Sequence, residues 1–237
     1  MSAMPIRYLG WMTWDVVRGP GLGMVISGVV SGFVISTVTV VTTGSGGETA
    51  VFLSILDFTV TLFALLATAG MVSSDFAQGY YRTLFSRPMS PPLYYLLRWI
   101  VGGLAVLLAA TLVGLAAAAR VGAELPLTHV LLQASLLYLL VGGLVFVLST
   151  FSRRDWLIGI LVIAAHAGLG AARTFGFATS GIAGLLYRVL PPFGPVDMGE
   201  PAPRGVTLVY VLSYGLALVA AALAIIRFRP LARGARE

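Results

Sequence analysis

The sequence predicts an all-α integral membrane protein with six transmembrane helices. Three observations support this fold class. The 237 residues are 58% hydrophobic and only 10% charged, with a mean hydropathy of +0.96. The apolar runs are about 20 residues long, as membrane helices require, whereas barrel strands show shorter alternating segments. The arginines stand at the ends of these runs. Because lipid offers backbone amides no partner, helices that satisfy them internally are the structure expected.

The six predicted spans belong to a single transmembrane domain that covers residues 1–237. They are residues 22–42, 50–73, 93–118, 129–150, 156–172 and 207–227. At 1.5 Å per residue, a run of about 20 residues matches a hydrocarbon core of roughly 30 Å. The fifth run is the shortest and ends at Arg173, so its complete crossing has the least support of the six.

The arginines also predict the orientation of the chain. All fifteen basic residues are Arg. With both termini in the cytoplasm, eleven of them fall on the cytoplasmic side, and the other four, Arg120, Arg173, Arg188 and Arg204, fall outside. This asymmetry is the one that the positive-inside rule describes. We therefore expect a multi-pass protein of the bacterial cytoplasmic membrane.

An interfacial helix precedes the first span. Residues 5–20 place apolar side chains on one arc and charged ones on the other, the pattern of a helix that lies in the membrane surface. Trp11 and Trp14 stand towards its polar side, where aromatic rings lie at headgroup level. They are predicted to anchor this amphipathic elbow helix to membrane lipid.

The main cytoplasmic connection is predicted at residues 74–92. Asp75, Gly79, Arg82 and Ser86 recur at helical spacing and so share one face of a short helix. Pro88 ends that helix. Ser90 and Pro91 then begin the next one, since proline is favoured at the first helical position. The alternative interpretation is a connecting loop without further function.

A long external connection is predicted between the fifth and sixth spans, at residues 173–206. It contains a short apolar helix candidate from Ser180 to Leu190, which is too short to span and is closed by Pro191 and Pro192. We expect this segment to re-enter the membrane surface or to lie on it. A Gly28-x-x-x-Gly32 pair, with Gly102, Gly103, Gly142 and Gly143, offers close helix packing. The composition of a GC-rich chain, in which lipid permits small residues, accounts for most of these glycines. An oligomer contact at Gly28 and Gly32 is an alternative role for that pair.

The sequence contains no motif for catalysis, for a metal or for a cofactor. The absence of cysteine excludes disulfides and thiolate chemistry. There is no G-x-x-x-x-G-K-[ST] phosphate loop, so an ATP-driven process needs ATP and Mg²⁺ in a separate subunit. The arginines do not cluster as nucleic-acid binding requires. An intramembrane enzyme could arise only from residues that are distant in sequence.

Two polar residues inside spans are candidates for a translocation path. Asp57 lies in the second span, where a carboxylate costs about 3 kcal/mol to insert. It could contact substrate or relay protons, or form a structural hydrogen bond near the outer interface. His166 lies in the fifth span, where a packing role competes with a ligand role.

The stretch SDFAQGYYRTLFSRPMSPPLYYLLRW, from Ser74 to Trp99, resembles the segment after the second span in permease subunits of ABC-2 type transporters. The family pattern is an acidic residue, three residues, Gly, a helical run, a Ser-x-Pro-like turn and an aromatic-rich re-entry. The matching positions are Asp75, Gly79, Ser86, Arg87, Pro88 and Tyr94. Family members often carry a second acidic residue where this chain has Arg82. The layout of six spans, elbow helix and long external connection is also similar.

The resemblance implies a fold and a mechanism. Two permeases, identical or homologous, form a dimer, and each contacts a cytoplasmic ABC ATPase through the helix at 75–86, the coupling helix. Closure of the ATPases then shifts the spans between inward-facing and outward-facing arrangements. The resemblance thus implies ATPase-coupling roles for Asp75, Gly79, Arg82, Ser86, Arg87 and Pro88, and an exporter as the transport type.

Three other functions remain open from the sequence. The chain could be a non-transporting membrane anchor or scaffold subunit of a larger complex, which needs no coupling helix. It could be a haem-export-type permease, whose chains are similarly short. A secondary transporter with Asp57 as its proton carrier is a further alternative, weakened by the lack of a clear repeat and of further intramembrane acids.

Overall fold

A computed structural model describes residues 10, 14, 23–30, 48–77, 90–121, 126–152, 154–174, 190–196 and 202–228. All the regular elements in this part of the chain are helices. They are α1 (Glu48–Thr68), α2 (Ser73–Ala77), α3 (Pro91–Val121), α4 (Leu127–Ser149), α5 (Asp155–Thr174), the 3-10 turn η1 (Gly194–Val196) and α6 (Gly205–Phe228). Residues 23–30 are also helical. The predicted all-α class is confirmed.

Four helical segments are long and apolar enough to cross a membrane, namely those at 52–75, 91–116, 127–149 and 205–228, and the first contains most of α1 and the start of α2. They indicate a multi-pass membrane protein. The predicted fifth span falls on α5, whose described apolar part, Asp155–Ala165, is shorter than the other four. Only residues 23–30 of the predicted first span are described, so six crossings remain a prediction.

Helix α4 is the centre of the bundle. It packs against α1, α3, α5 and α6, and its residues from Leu136 to Tyr138 and from Leu140 to Phe146 are buried. By contrast, α3 exposes a leucine ridge at Leu104, Leu108 and Leu112. An apolar ridge of this kind is the surface that lipid covers in a membrane protein.

Glycines set the close approaches of the helices. A β-carbon at Gly103 of α3 would lie 2.6 Å from Cε1 of Tyr138, and one at Gly143 of α4 would lie 3.3 Å from Cβ of Leu218 on α6. One at Gly28 would lie 3.0 Å from Cγ2 of Val113. Close helix packing, which the sequence offered as one role for these glycines, is observed at these three positions. Gly28 is buried within its own chain, and Gly32 lies outside the described residues.

Two predicted boundaries can be compared with the structure. The span predicted at 50–73 is not one helix to its end, because α1 ends at Thr68 and a turn over 69–72 precedes α2. Glycine at position 70, with φ +69°, produces that turn. In contrast, α3 begins at Pro91 as predicted, and the Tyr94 N–H donates to the Ser90 carbonyl at 3.1 Å.

The described part of the predicted external connection returns onto the bundle. Pro191, Pro192 and Val196 are buried, and η1 packs against α4. Val196 shares a hydrophobic cluster with Val130 of α4 and Val211 of α6. The helix candidate from Ser180 to Leu190 lies outside the described residues except for Leu190, and a re-entrant course stays a prediction.

Candidate functional site

The candidate site is the place where the chain leaves α1 and begins the predicted connection. We call it the Gly70 junction, defined as residues 69–75 together with Arg98 and Asp155. The Ala69 N–H donates to the Leu65 carbonyl at 2.8 Å, and the Ser74 N–H donates to the Gly70 carbonyl at 2.9 Å. The left-handed conformation of Gly70 interrupts the helix between these two bonds. The junction therefore joins α1 to α2 through a single tight turn.

The apolar residues of the turn are fully packed. Met71 and Val72 are 2% and 1% exposed, and they belong to a hydrophobic cluster with Tyr94, Tyr95 and Phe146. This cluster draws the turn against α3 and α4. The Gly70 junction is thus part of the bundle and not a loop that stands away from it.

Arg98 of α3 holds the junction by its guanidinium group. Its Nη1 donates to the Met71 carbonyl and to Oδ2 of Asp75, each at 3.0 Å. The two side chains are 16% and 9% exposed. Tyr95, one turn earlier on α3, lies beside the same carboxylate. Because this pair is largely shielded from water, its attraction is stronger than that of a surface ion pair.

Asp155, the first residue of α5, holds the junction from another side. Its Oδ2 accepts the Gly70 N–H at 2.7 Å, and its Oδ1 accepts the Trp156 N–H at 2.9 Å. Its side chain is buried. Burial raises the pKa of the Asp155 carboxyl above its usual value, and the hydrogen bonds from Gly70 and Trp156 oppose that rise.

The packing of α5 explains how Asp155 reaches Gly70. Gly159 lies one turn after Asp155 and therefore on the same helix face. A β-carbon there would lie 3.0 Å from Cγ2 of Val145 and 3.3 Å from Cδ2 of Leu65. The missing side chain lets the first turn of α5 lie directly against α1 and α4. The junction consequently contacts α1, α3 and α5 within a few residues.

The structure describes Asp75 alone among the six predicted coupling residues. Asp75 lies on α2, is 7% exposed and is paired with Arg98. The sequence pattern placed this carboxylate on the face offered to a partner, whereas here it faces α3. The remaining five lie outside the described residues: Gly79, Arg82, Ser86, Arg87 and Pro88.

Among the other predicted site residues, Asp57 is not brought together with the junction. Asp57 lies on α1 about three turns before it and is partly exposed, and the Thr61 hydroxyl donates to the Asp57 carbonyl at 3.0 Å. His166 lies on α5, and its side chain is outside the described residues, as is Trp11. Trp14 is 60% exposed, so a role as an interfacial anchor stays a prediction. Among the described residues, no group of three or more His, Asp or Glu could hold a metal ion.

Sequence reasoning assigned Arg98 and Asp155 no role beyond topology. The signals were present but weak. Arg98 is a cation seven residues after the start of an apolar helix, and Asp155 is a single acid after two arginines. Each is separated in sequence from the residue that it contacts, Arg98 from Asp75 by 23 positions and Asp155 from Gly70 by 85. Such pairings cannot be read from helical spacing.

Comparisons with known proteins assign no family to the chain. No family model, curated protein or solved structure matches it.

Proposed function

We propose that this chain is a permease subunit of an ATP-driven ABC-2 type transporter that acts as an exporter. It forms the translocation path with a second permease copy or homologue in the bacterial cytoplasmic membrane. It is driven by a separate cytoplasmic ATPase that binds Mg²⁺ and ATP. The proposal rests on the resemblance of residues 74–99 to the coupling segment of that family, and on four helices able to cross a membrane.

One structural observation carries the proposal further than the resemblance. The acidic residue that begins the motif, Asp75, is ion-paired at 3.0 Å with Arg98 of α3, the helix in which the motif ends. A segment that receives force from an ATPase has to be fastened to the membrane helices, because a loose loop would absorb the displacement. The Asp75–Arg98 pair supplies such a fastening at the start of the connection.

The charges of the segment favour a partner with an acidic docking surface. Asp75 is paired within the chain, so Arg82 and Arg87 are left to provide the electrostatic contact in residues 78–89. Complementary charge speeds association and selects among partners more than it adds affinity. In this proposal Asp75 holds the coupling segment in place, and the two arginines contact the ATPase.

The first test is purification of the tagged chain in a gentle detergent, followed by mass spectrometry of the proteins that co-purify. The proposal expects a stoichiometric soluble ATPase with a G-x-x-x-x-G-K-[ST] motif. Recovery of unrelated membrane subunits without any ATPase would overturn it in favour of a scaffold. A second permease in the same complex would show a heterodimer.

Charge reversal then tests where the ATPase binds. Arg82→Glu with Arg87→Glu is expected to reduce ATPase recovery at least tenfold while the chain still elutes as a folded species. Arg227→Glu is the matched control, since Arg227 is exposed in the last turn of α6. Equal recovery of the ATPase with the double variant and with the control would show that residues 78–89 do not contact the ATPase.

A charge swap tests the role assigned to Asp75. Asp75→Arg places two cations together and is expected to uncouple ATP hydrolysis from transport. Asp75→Arg combined with Arg98→Asp rebuilds the ion pair and is expected to restore coupling. If the swap fails to restore coupling while both proteins fold, the sign of the charge at position 75 matters to the partner itself.

A further inference from the structure

Helix α5 is fastened to the rest of the chain at its first turn. Asp155 accepts the Gly70 N–H through Oδ2 at 2.7 Å, and Gly159 lies against Leu65 and Val145. Asp155 is fully buried. A hydrogen bond from a backbone N–H to a carboxylate is stronger than one between neutral groups, and a shielded site strengthens it further.

Among the later residues of α5 whose side chains are described, several are exposed, although Ile163 packs against the hydrophobic core. Leu161, Ala164, Ala165 and Ala167 are exposed, and a β-carbon at Gly168 would meet nothing within 4 Å. In the described part of α5, then, the tight contacts lie at the Asp155 end. The close contacts of Gly159 therefore fasten α5 near Asp155, and no comparable contact is made at Gly168.

The backbone of Gly70 joins this end of α5 to α2, where the predicted connection begins. The Ser74 N–H of α2 donates to the Gly70 carbonyl at 2.9 Å, and the Gly70 N–H donates to Asp155. The chain of hydrogen bonds therefore runs from α2 through Gly70 to α5. Oδ1 of Asp155 accepts a hydrogen bond from Trp156 within α5, whereas Oδ2 accepts the one from Gly70.

We propose that Asp155 is a positioning residue that links the Gly70 junction to α5. A displacement of α2 is carried through Gly70 and Asp155 to α5 and moves the part of that helix that contains Gly168. The source of that displacement rests on the proposed function. The link itself is a property of this chain and can be measured without an ATPase.

The chain suits a distance measurement because it contains no cysteine. Nitroxide labels on introduced cysteines at Thr128 of α4 and Ala167 of α5, both exposed, report the position of the far half of α5. Asp155→Ala is expected to broaden and shift the distance distribution between these labels. Asp155→Asn keeps one oxygen acceptor and is expected to stay close to the unmodified protein. Arg154→Ala is the matched control, since Arg154 is exposed beside the same turn.

A second perturbation separates a link from a purely structural role. Asp75→Asn weakens the pair with Arg98 and is expected to shift the labels on α5 when Asp155 is present. In the Asp155→Ala background, the same substitution is expected to produce no further shift. A shift of equal size in both backgrounds would overturn the proposal. So would an unchanged label distance in Asp155→Ala.

Hydrogen exchange at Gly70 checks the contact directly. Removal of its acceptor in Asp155→Ala should speed exchange of the Gly70 amide about tenfold, with little change in Asp155→Asn. Unchanged exchange in Asp155→Ala would contradict the link. If Asp155→Ala does not fold, the test compares Asp155→Asn with the unmodified protein. Nearly identical label distances in these two proteins are the expected result, and a large shift overturns the proposal. These measurements use the purified chain alone, so they test the Asp155 link. The absence of an ATPase on purification tests the proposed function, and the two results are separate.

Discussion

Arg98 and Asp75 form an ion pair, with Nη1 of Arg98 lying 3.0 Å from Oδ2 of Asp75. The pair joins two helices that flank the predicted connection, α2 at its start and α3 at its end. The same Nη1 also donates to the Met71 carbonyl, so one guanidinium holds both the carboxylate and the backbone of the turn. Arg98 therefore holds the start of the connection against α3 through two bonds.

Replacement of Arg98 should therefore destabilise the protein. Arg98→Ala leaves the Asp75 carboxylate and the Met71 carbonyl without this donor in a largely buried place, and we expect a loss of about 2 to 3 kcal/mol. Thermal unfolding in detergent, followed by tryptophan fluorescence, measures the loss. Arg227→Ala, at an exposed position, should leave the unfolding temperature unchanged. Equal unfolding temperatures for the two variants would show that the ion pair adds no stability.

Gly70 should tolerate substitution poorly for a reason that lies in its backbone. Its φ of +69° is the left-handed region, which costs an L-residue about 1 to 2 kcal/mol. The space is sufficient, since a β-carbon would lie 3.7 Å from Cβ of Ser74. Gly70→Ala should therefore lower the unfolding temperature, and Gly70→Asn should lower it less, because Asn enters this region more readily. The reverse order would contradict this explanation.

Two glycines provide a matched pair for helix packing. At Gly103 a β-carbon would lie 2.6 Å from the Tyr138 ring, so Gly103→Ala should destabilise the bundle by about 1 to 3 kcal/mol. At Gly168 nothing lies within 4 Å, and Gly168→Ala should be neutral or slightly stabilising. Unfolding of the two variants in the same detergent checks the difference. A similar loss in both would mean that the α3–α4 contact is not the cause.

Tyr138 should contribute a measurable hydrogen bond inside the bundle. Its hydroxyl donates to the Trp99 carbonyl at 2.5 Å, and its ring lies 4.9 Å from the Trp99 ring. Tyr138→Phe keeps the ring and removes the bond, which should lower stability by about 0.5 to 1 kcal/mol. Tyr210→Phe is the control, since Tyr210 is 47% exposed. A larger loss of stability in Tyr210→Phe than in Tyr138→Phe would show that the hydrogen bond to Trp99 is not what stabilises the bundle.

Much of the fold could be predicted from the sequence because lipid restricts the choices. Long apolar runs can only be helices when the solvent offers backbone amides no partner, and the runs at 93–118, 129–150 and 207–227 appear as α3, α4 and α6 within three residues at each end. The glycines also indicated close packing. Their partners did not follow from the sequence, and Gly28 contacts Val113 of its own chain.

The candidate site depends more on tertiary packing. The sequence was enough to predict that Asp75 begins a polar segment between two apolar helices and that Pro91 opens the second of them. Which groups Asp75 and Asp155 contact could be learned only from the folded chain. Helical periodicity orders residues about one axis, whereas the contacts of Arg98 with Asp75 and of Asp155 with Gly70 depend on how separate helices pack. That packing is set by side-chain volumes and by the missing side chain of Gly159, which act between segments far apart in the chain.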